Sequence, residues 1–190
     1  ALFADRPCAL RPHVKTHKSP FIAHRQMRAG AIGLTCAKLE DAKGFAWAGL
    51  DHLLIAHQVV DPEKIEELVG LAGLVDVMVC VDDAANARQL SAIALRRGVV
   101  LGVLAEINVG LDRCGAPPGE PALKLVREML KLKGLRFRGV MGYEGAMYPL
   151  ARDALRTACA EACARLTGTA DLLRSHGIPV DIVSAGGSNT

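Results

Sequence analysis

The hydrophobic positions of this chain follow one recurring pattern, in which a stretch with helical spacing ends at a glycine and a short apolar run follows. Glycine is common just past a helix end because it adopts positive φ without penalty. The runs after the glycines are mostly apolar on both faces, which is typical of buried parallel strands. Together with an opening strand, the pattern predicts seven strands, at 9–15, 31–36, 52–57, 76–81, 99–107, 136–143 and 180–185.

The segments between these strands have the spacing of amphipathic helices. The helix after Asp61 begins with an Asp-Pro pair that suits a cap and a first turn, and the longest helix is predicted over 151–176. Strands that alternate with helices favour a parallel α/β architecture. The predicted apolar faces include Ile65, Leu68, Val69 and Ala72, then Ala87, Leu90, Ile93 and Ala94, and then Leu123, Val126 and Met129.

A (β/α)8 TIM-type barrel and an open doubly wound sheet both have this alternation. The barrel needs eight units and usually about 250 residues, whereas seven strands are visible here and the chain stops just after the seventh. The regular repetition without linkers favours the barrel. We therefore expect one domain over residues 1–190, forming an incomplete barrel that is truncated at both ends.

Composition supports a globular domain and argues against two classes of partner. Hydrophobic residues make up 51% of the chain and the mean hydropathy is +0.23, which suits one buried core. The net charge of +3 and the 4% of aromatic residues give no argument for nucleic acid. No apolar run approaches the roughly 20 residues that a membrane helix needs. We expect neither a nucleic-acid nor a membrane partner.

The six cysteines indicate a reducing compartment. They form no metal-type Cys-x-x-Cys pair, and Cys36 and Cys80 fall in apolar runs, as reduced core cysteines do. The chain opens without the basic-then-apolar order of a signal peptide and without Met. We therefore expect a cytoplasmic protein whose natural start lies upstream of this chain.

A cationic cluster ends the first predicted strand. The run 10–20 reads Leu-Arg-Pro-His-Val-Lys-Thr-His-Lys-Ser-Pro and puts Lys15 at or near the carboxyl end of that strand, where sheets of this type bind ligands. Ser19 and Pro20 suit the cap and the first position of a helix. Neighbouring cations disfavour a protonated amine, which helps a lysine act as a nucleophile. A solvated basic face or a phosphate-binding patch is the alternative.

If the strands are parallel, the polar residues that follow them form a ring on one rim of the barrel. In the last loop, Ser-Ala-Gly-Gly-Ser-Asn-Thr at 184–190, the glycines would let backbone N–H groups approach a phosphate, although a surface turn has a similar composition. Besides that loop, the ring contains Lys15, His17, Lys38, His57, Gln58, Asp82, Asp83, Asn108, Arg113, Tyr143 and Glu144.

Two residues of this ring could contact a flat ligand. Arg113 could hold a ligand oxygen by a charge-assisted hydrogen bond, or it could pair with Asp112 or Glu106. Tyr143 ends an apolar strand, so its ring could lie against a flat ligand or fill the barrel mouth. A phosphate, a flat ring and a carbonyl carbon that meets Lys15 together describe pyridoxal 5′-phosphate (PLP), with which a lysine forms a Schiff base.

In order and in kind, these motifs resemble those of the fold-type III PLP enzymes, in the branch of D-threonine aldolase and eukaryotic-type D-serine dehydratase. These enzymes share the N-terminal barrel of alanine racemase. The run 11–18 is similar to that branch's lysine motif. Matching segments follow in the same order at 31–38, 106–115, 142–145 and 185–190.

The resemblance implies a role for each matched residue. Lys15 would form the Schiff base and act as acid and base at the substrate α-carbon. Arg113 would contact the phenolic oxygen of the cofactor, and Tyr143 would lie near its pyridine ring. The implied cofactor-binding residues are Lys15, His17, Arg113, Tyr143, Ser184, Gly186, Gly187, Ser188 and Asn189.

The sequence also departs from related patterns at three places. Thr16 to Lys18 replace the Ala-x-Ala-Tyr-Gly that follows the lysine in alanine racemases, which argues against a simple racemase. Ala146 stands where this branch often has histidine. The family continues into an eighth strand and a C-terminal β-domain, which we expect to be absent from this chain. The ligands of a divalent metal, Mn or Zn, lie in that β-domain, so we expect no metal ligand here.

The resemblance implies a PLP-dependent lyase that acts on small D-configured β-hydroxy amino acids and is a homodimer when full length. Retro-aldol cleavage to glycine and an aldehyde is the D-threonine aldolase outcome. Conversion of D-serine to pyruvate and ammonia is the dehydratase alternative. A non-catalytic PLP carrier and a phosphate-binding barrel without a Schiff base are alternatives from other classes.

Overall fold

The computed structural model of the chain describes residues 8–145 and 150–187, which form a six-stranded parallel sheet whose strand order follows the chain order. The strands are β1 Leu34–Cys36, β2 Leu53–Ile55, β3 Val77–Val81, β4 Leu101–Glu106, β5 Leu135–Met141 and β6 Ile182–Ser184. The helices are α1 Pro20–Arg28, α2 Leu39–Trp47, α3 Pro62–Ala72, α4 Ala84–Arg96, α5 Glu120–Leu130 and α6 Arg152–Ser175.

Polar side chains cap the first turns of α3 and α4 and fix where these two helices begin. Asp61 accepts a hydrogen bond from the backbone N–H three residues on, at 3.0 Å, at the start of α3. Asp83 accepts two such bonds, at 2.7 and 3.0 Å, at the start of α4. These side chains satisfy N–H groups that a helix cannot pair internally.

The sheet is buried on both faces, but by different layers. On its outer face, residues such as Val79 and Val103 pack with the helices in one large core. On its inner face a smaller cluster fills the hollow of the curled sheet, as side chains fill a barrel interior. That cluster consists of Leu54, Met78, Cys80, Leu104 and Met141. The predicted α/β fold class, an incomplete TIM-type barrel, is confirmed.

The first predicted strand, residues 9–15, differs from the prediction. Thr35 donates to the carbonyl of Pro12 at 2.8 Å and accepts from Val14 at 2.9 Å. This pairing amounts to a single parallel bridge between His13 and Thr35. Proline has no N–H to donate, which shortens any ladder that contains it. Within the described residues the sheet therefore has six strands, and the lysine segment runs along its edge.

Within the same residues, no helix is long and apolar enough to cross a membrane. All six cysteines are free thiols, and Cys36 and Cys80 are buried, as their apolar surroundings in the sequence predict. These two buried thiols therefore pack as small apolar side chains.

Candidate functional site

Lys15 lies at the carboxyl-terminal rim of the sheet, on the side of the barrel interior. The neighbouring Val14 is fully buried in the core beneath the helices. Lys15 follows in the turn over residues 14–17, in which the Lys18 N–H donates to the Val14 carbonyl at 2.9 Å. Its side chain is exposed, and its Nζ lies 5.5 Å from the centre of the Tyr143 ring.

Tyr143 brings two of the predicted site residues together. The guanidinium carbon of Arg113 lies 5.8 Å from the centre of the same ring. Cations near an aromatic face are attracted by its electron density. Three residues that are far apart in the sequence thus meet at the barrel mouth, where they offer an amine, a guanidinium and a flat ring. This combination suits a flat, anionic ligand.

The cations around Lys15 are fewer than the sequence suggests. Lys18 forms an ion pair with Asp41 at 3.0 Å. Burial, and then the charge of Lys15, lower the pKa of His13 to about 4. His13 is therefore neutral at pH 7, and its Nδ1 accepts a hydrogen bond from the Lys15 backbone N–H at 3.2 Å. Lys15 thus stands between a neutral imidazole and a lysine that is already paired.

His17 offers a hydrogen-bond donor close to Lys15 in the chain. Its Nδ1 accepts from the Ser19 backbone N–H at 3.0 Å, which assigns the proton of the neutral ring to Nε2. Nε2 is buried and has no hydrogen-bond partner among the described residues. Leaving a buried donor unsatisfied costs about 1–3 kcal/mol, so an acceptor supplied by a ligand would be stabilised here.

The loop that carries Arg113 is tied to the sheet. The thiol of Cys114 donates to Glu106 Oε1 at 3.0 Å, and the N–H of Gly115 donates to Asp82 Oδ2 at 2.9 Å. The sequence places Asp82 on the rim but does not reveal that it supports this loop. Sequence reasoning also missed Cys114. The available signal was Glu106, a carboxylate that ends an otherwise apolar strand.

Other predicted rim residues shape the backbone or are exposed to solvent. Asp83 caps α4, and Asn108 accepts from two backbone N–H groups of its own loop. Lys38 and His57 are exposed. Among the predicted residues, Lys15 and Arg113 are the two whose cations lie near the Tyr143 ring by the distances given above.

The predicted phosphate loop is partly described. Ser184 ends β6, and its carbonyl accepts from Gly142 N–H at 3.0 Å. Gly186 has a φ of 103°, and its N–H donates to the buried carboxylate of Glu144 at 3.4 Å. A phosphate at this N–H would have to replace that long contact. Gly187 follows and is half-buried. Ala146, Ser188 and Asn189 lie outside the described residues.

Comparison with known proteins gives the family and its branch. Residues 2–190 match the family described as alanine racemase, N-terminal domain. The chain is 37% identical over 190 residues to the D-threonine aldolase of Arthrobacter sp., a match that covers 99% of this chain and 50% of that protein.

Solved structures agree with this assignment. The D-threonine aldolase of Filomicrobium marinum superposes with a TM-score of 0.90 at 39% identity, over 93% of this chain and 48% of that one. The D-threo-3-hydroxyaspartate dehydratase of Delftia sp. HT23 superposes with a TM-score of 0.88 at 32% identity, over 96% and 48%. This chain spans about half the length of these relatives. It belongs to the alanine racemase N-terminal domain family of fold-type III PLP enzymes, in the D-threonine aldolase branch.

Proposed function

We propose that this chain binds PLP through Lys15 and forms the cofactor-binding part of a lyase acting on D-configured β-hydroxy amino acids. The observation that carries the proposal is the meeting of Lys15 and Arg113 at the Tyr143 ring, at 5.5 and 5.8 Å. The names of the relatives, a D-threonine aldolase and a D-threo-3-hydroxyaspartate dehydratase, support this substrate class.

The residues at the mouth fit the parts of the cofactor. Its aldehyde needs an amine, which Lys15 presents at the rim. Its ring suits the flat face of Tyr143. Its anionic oxygens suit the guanidinium of Arg113 and the unsatisfied Nε2–H of His17. Backbone N–H groups around Gly186 would hold the phosphate, provided that the bond to Glu144 is exchanged.

PLP, when bound, supplies an electron sink for the bond that breaks at the substrate α-carbon. The residues of the chain have other tasks. Lys15 holds the cofactor and moves a proton between its Nζ and the α-carbon. Arg113 orients the cofactor by charge-assisted hydrogen bonds, and Tyr143 covers part of the mouth and keeps water away.

Retro-aldol cleavage is the favoured outcome, because both D-threonine aldolases are more similar to this chain than the dehydratase is. The Cα–Cβ bond breaks, the β-hydroxyl loses its proton as the aldehyde forms, and a proton added at Cα completes glycine. Dehydration is the second candidate, which the Delftia relative supports. In that reaction the Cα–H bond breaks and hydroxide leaves Cβ, so that one water is lost, and a water then hydrolyses the resulting imine to a keto acid and ammonia.

The metal and the assembly belong to the same proposal. Among residues 8–145 and 150–187, no group of three His, Cys, Asp or Glu side chains is placed to hold a metal. We propose that a divalent Mn or Zn ion binds the β-hydroxyl through ligands outside this chain. We also propose that the full-length protein is a homodimer.

The cofactor site can be tested by trapping. The protein is incubated with PLP, reduced with borohydride and mapped by peptide mass spectrometry. We expect the label on Lys15, and loss of the visible PLP band in Lys15→Ala. Lys38→Ala, a change of another exposed rim lysine, should keep the band. Label scattered over other lysines, or an unchanged band in Lys15→Ala, would refute the assignment.

The reaction can then be assigned by product analysis of the complete protein with D-threonine, D-serine and D-threo-3-hydroxyaspartate. Glycine with an aldehyde would identify an aldolase, and a keto acid with ammonia would identify a dehydratase. Stable PLP binding through Lys15 without either product would favour a carrier protein instead.

A further inference from the structure

Glu106 is a buried carboxylate to which the proposed reaction assigns no task. It ends β4 and is 3% exposed. Burying a carboxylate is costly unless hydrogen-bond donors meet both of its oxygens. Gln58 Nε2 donates to Oε2 at 2.5 Å, and the Cys114 thiol donates to Oε1 at 3.0 Å. Both partners are donors, so a carboxylate satisfies both, whereas the amide of a glutamine would satisfy only one.

Two opposite charges, those of Glu106 and Arg113, act on the Cys114 thiol. Burial and the hydrogen bond to Glu106 raise the pKa of the thiol, and the Arg113 guanidinium lowers it by hydrogen bonding and by its charge. The thiol is thus hydrogen-bonded to the buried carboxylate, and Cys114 is the direct chain neighbour of Arg113. This hydrogen bond therefore anchors the residue next to Arg113, whose guanidinium carbon lies 5.8 Å from the centre of the Tyr143 ring.

The loop 107–116, which carries Arg113 and Cys114, folds back onto the end of β4. Ile107 and Ala116 form a parallel bridge, and Ala116 N–H donates to the Glu106 carbonyl at 2.8 Å. A side chain at Gly115 would overlap this strand end, 2.6 Å from the Asn108 nitrogen. The backbone is therefore fixed at the base of the loop. The hydrogen bond between the side chains of Cys114 and Glu106, next to Arg113, then determines the position of the guanidinium.

We propose that Glu106 is a positioning residue that, through its hydrogen bond with the Cys114 thiol, holds the neighbouring Arg113 where its guanidinium can meet an anionic oxygen of the cofactor. The inference rests on the proposed function for the identity of the ligand. The hydrogen bond between Cys114 and Glu106 forms within the chain and does not depend on which ligand binds. Without the carboxylate or the thiol donor, PLP still reaches Lys15, but Arg113 no longer holds a fixed place and the cofactor binds more weakly.

The equilibrium dissociation constant of PLP tests whether the Glu106–Cys114 hydrogen bond positions Arg113. We expect Glu106→Gln and Cys114→Ala to raise the dissociation constant about tenfold, since a buried donor or acceptor loses its partner. Cys114→Ser keeps a donor and should stay within about threefold of the parent protein. Cys163→Ala, a change of an exposed thiol on α6, is the matched control. Equal affinity of Cys114→Ala and the parent protein would overturn the inference.

A double-mutant cycle separates positioning from general support of the fold. In an Arg113→Ala background, Glu106→Gln should have no further effect on PLP affinity or on the absorbance maximum of the bound cofactor. If Glu106→Gln weakens binding by the same factor with and without Arg113, its role is structural and the inference fails.

A measurement without cofactor keeps the inference testable if PLP does not bind. The rate of Cys114 alkylation is followed against pH by peptide mapping. Its midpoint should fall in Glu106→Gln and rise in Arg113→Ala, because the two charges act on the sulfur in opposite directions. Unchanged midpoints of Cys114 alkylation in both variants would overturn the inference that Cys114 connects Glu106 to Arg113. Absence of a Lys15 label in the parent protein would instead refute the proposed function.

Discussion

Acidification should destabilise this protein in part through one histidine beside the candidate nucleophile. The pKa of His13 is lowered from 6.5 to about 4, chiefly by burial and then by the charge of Lys15, while Asp41 opposes the change. Between these two values the unfolded chain binds a proton that the folded chain does not. The contribution of His13 is therefore fully present above pH 6.5 and is lost as the pH falls toward 4.

The magnitude follows from the two pKa values of His13. Their difference corresponds to about 3 kcal/mol in full, of which about 2 kcal/mol would be lost between about pH 7.5 and about pH 5. The imidazole is only partly buried, so solvent screening makes this an upper value. A loss of this size is a sizeable part of the stability of an ordinary domain, about 5–15 kcal/mol.

Urea unfolding at both pH values measures the effect. His13→Asn removes the titrating ring but keeps an oxygen that can accept from the Lys15 N–H, whereas His57→Asn changes an exposed rim histidine and serves as control. Carboxylates that titrate in the same range affect all three proteins alike. We expect His13→Asn to lose less stability on acidification than the parent and the control do, by up to about 2 kcal/mol. An equal loss in all three would refute the reasoning.

Three further predictions concern the sheet, a cap and a thiol. Gly139→Ala should reduce the free energy of unfolding by more than about 1 kcal/mol, because the φ of Gly139 is 148° and a Cβ would overlap the Ile182 carbonyl. Gly168→Ala, on the open surface of α6, should instead stabilise the protein by about 0.5–1 kcal/mol, and urea titration compares the two variants. Asp83→Ala should reduce the same quantity by about 1 kcal/mol, with Asp83→Asn close to the parent. Cys80, fully buried with a raised thiol pKa, should resist alkylation in the native protein and react after unfolding, as mass spectrometry can follow.

The order of the elements could be predicted because each one carries its own signal. The wholly buried β3 is an unbroken apolar run, and α3 begins where Asp61 can cap it. The edge segment before Lys15 could not be predicted as well. Pro12 and His13 lie in a run that looks extended, but a proline cannot donate to the neighbouring strand, and only the bridge to Thr35 forms.

The positions of the candidate residues could also be predicted, because parallel strands place their carboxyl ends at one edge. Their partners could not. A sequence shows Lys15 and Lys18 as neighbouring cations but does not show that Lys18 turns to Asp41 in α2. It shows Glu106 near Arg113 but not that the thiol of Cys114 donates a hydrogen bond to the Glu106 carboxylate. Such pairings depend on tertiary distances between side chains, which no local pattern encodes.

These pairings explain how a mouth made of loop residues can hold a fixed shape. Lys15 and Arg113 must stay exposed to meet a ligand, so burial cannot fix them. Their positions have to come from buried polar groups one step away, and a buried polar group is stable only when its partners are in place. The neutral His13 beneath Lys15 and the Glu106–Cys114 pair behind Arg113 meet that requirement. Changes at these three supporting residues should therefore alter ligand binding even though none of them needs to touch the ligand.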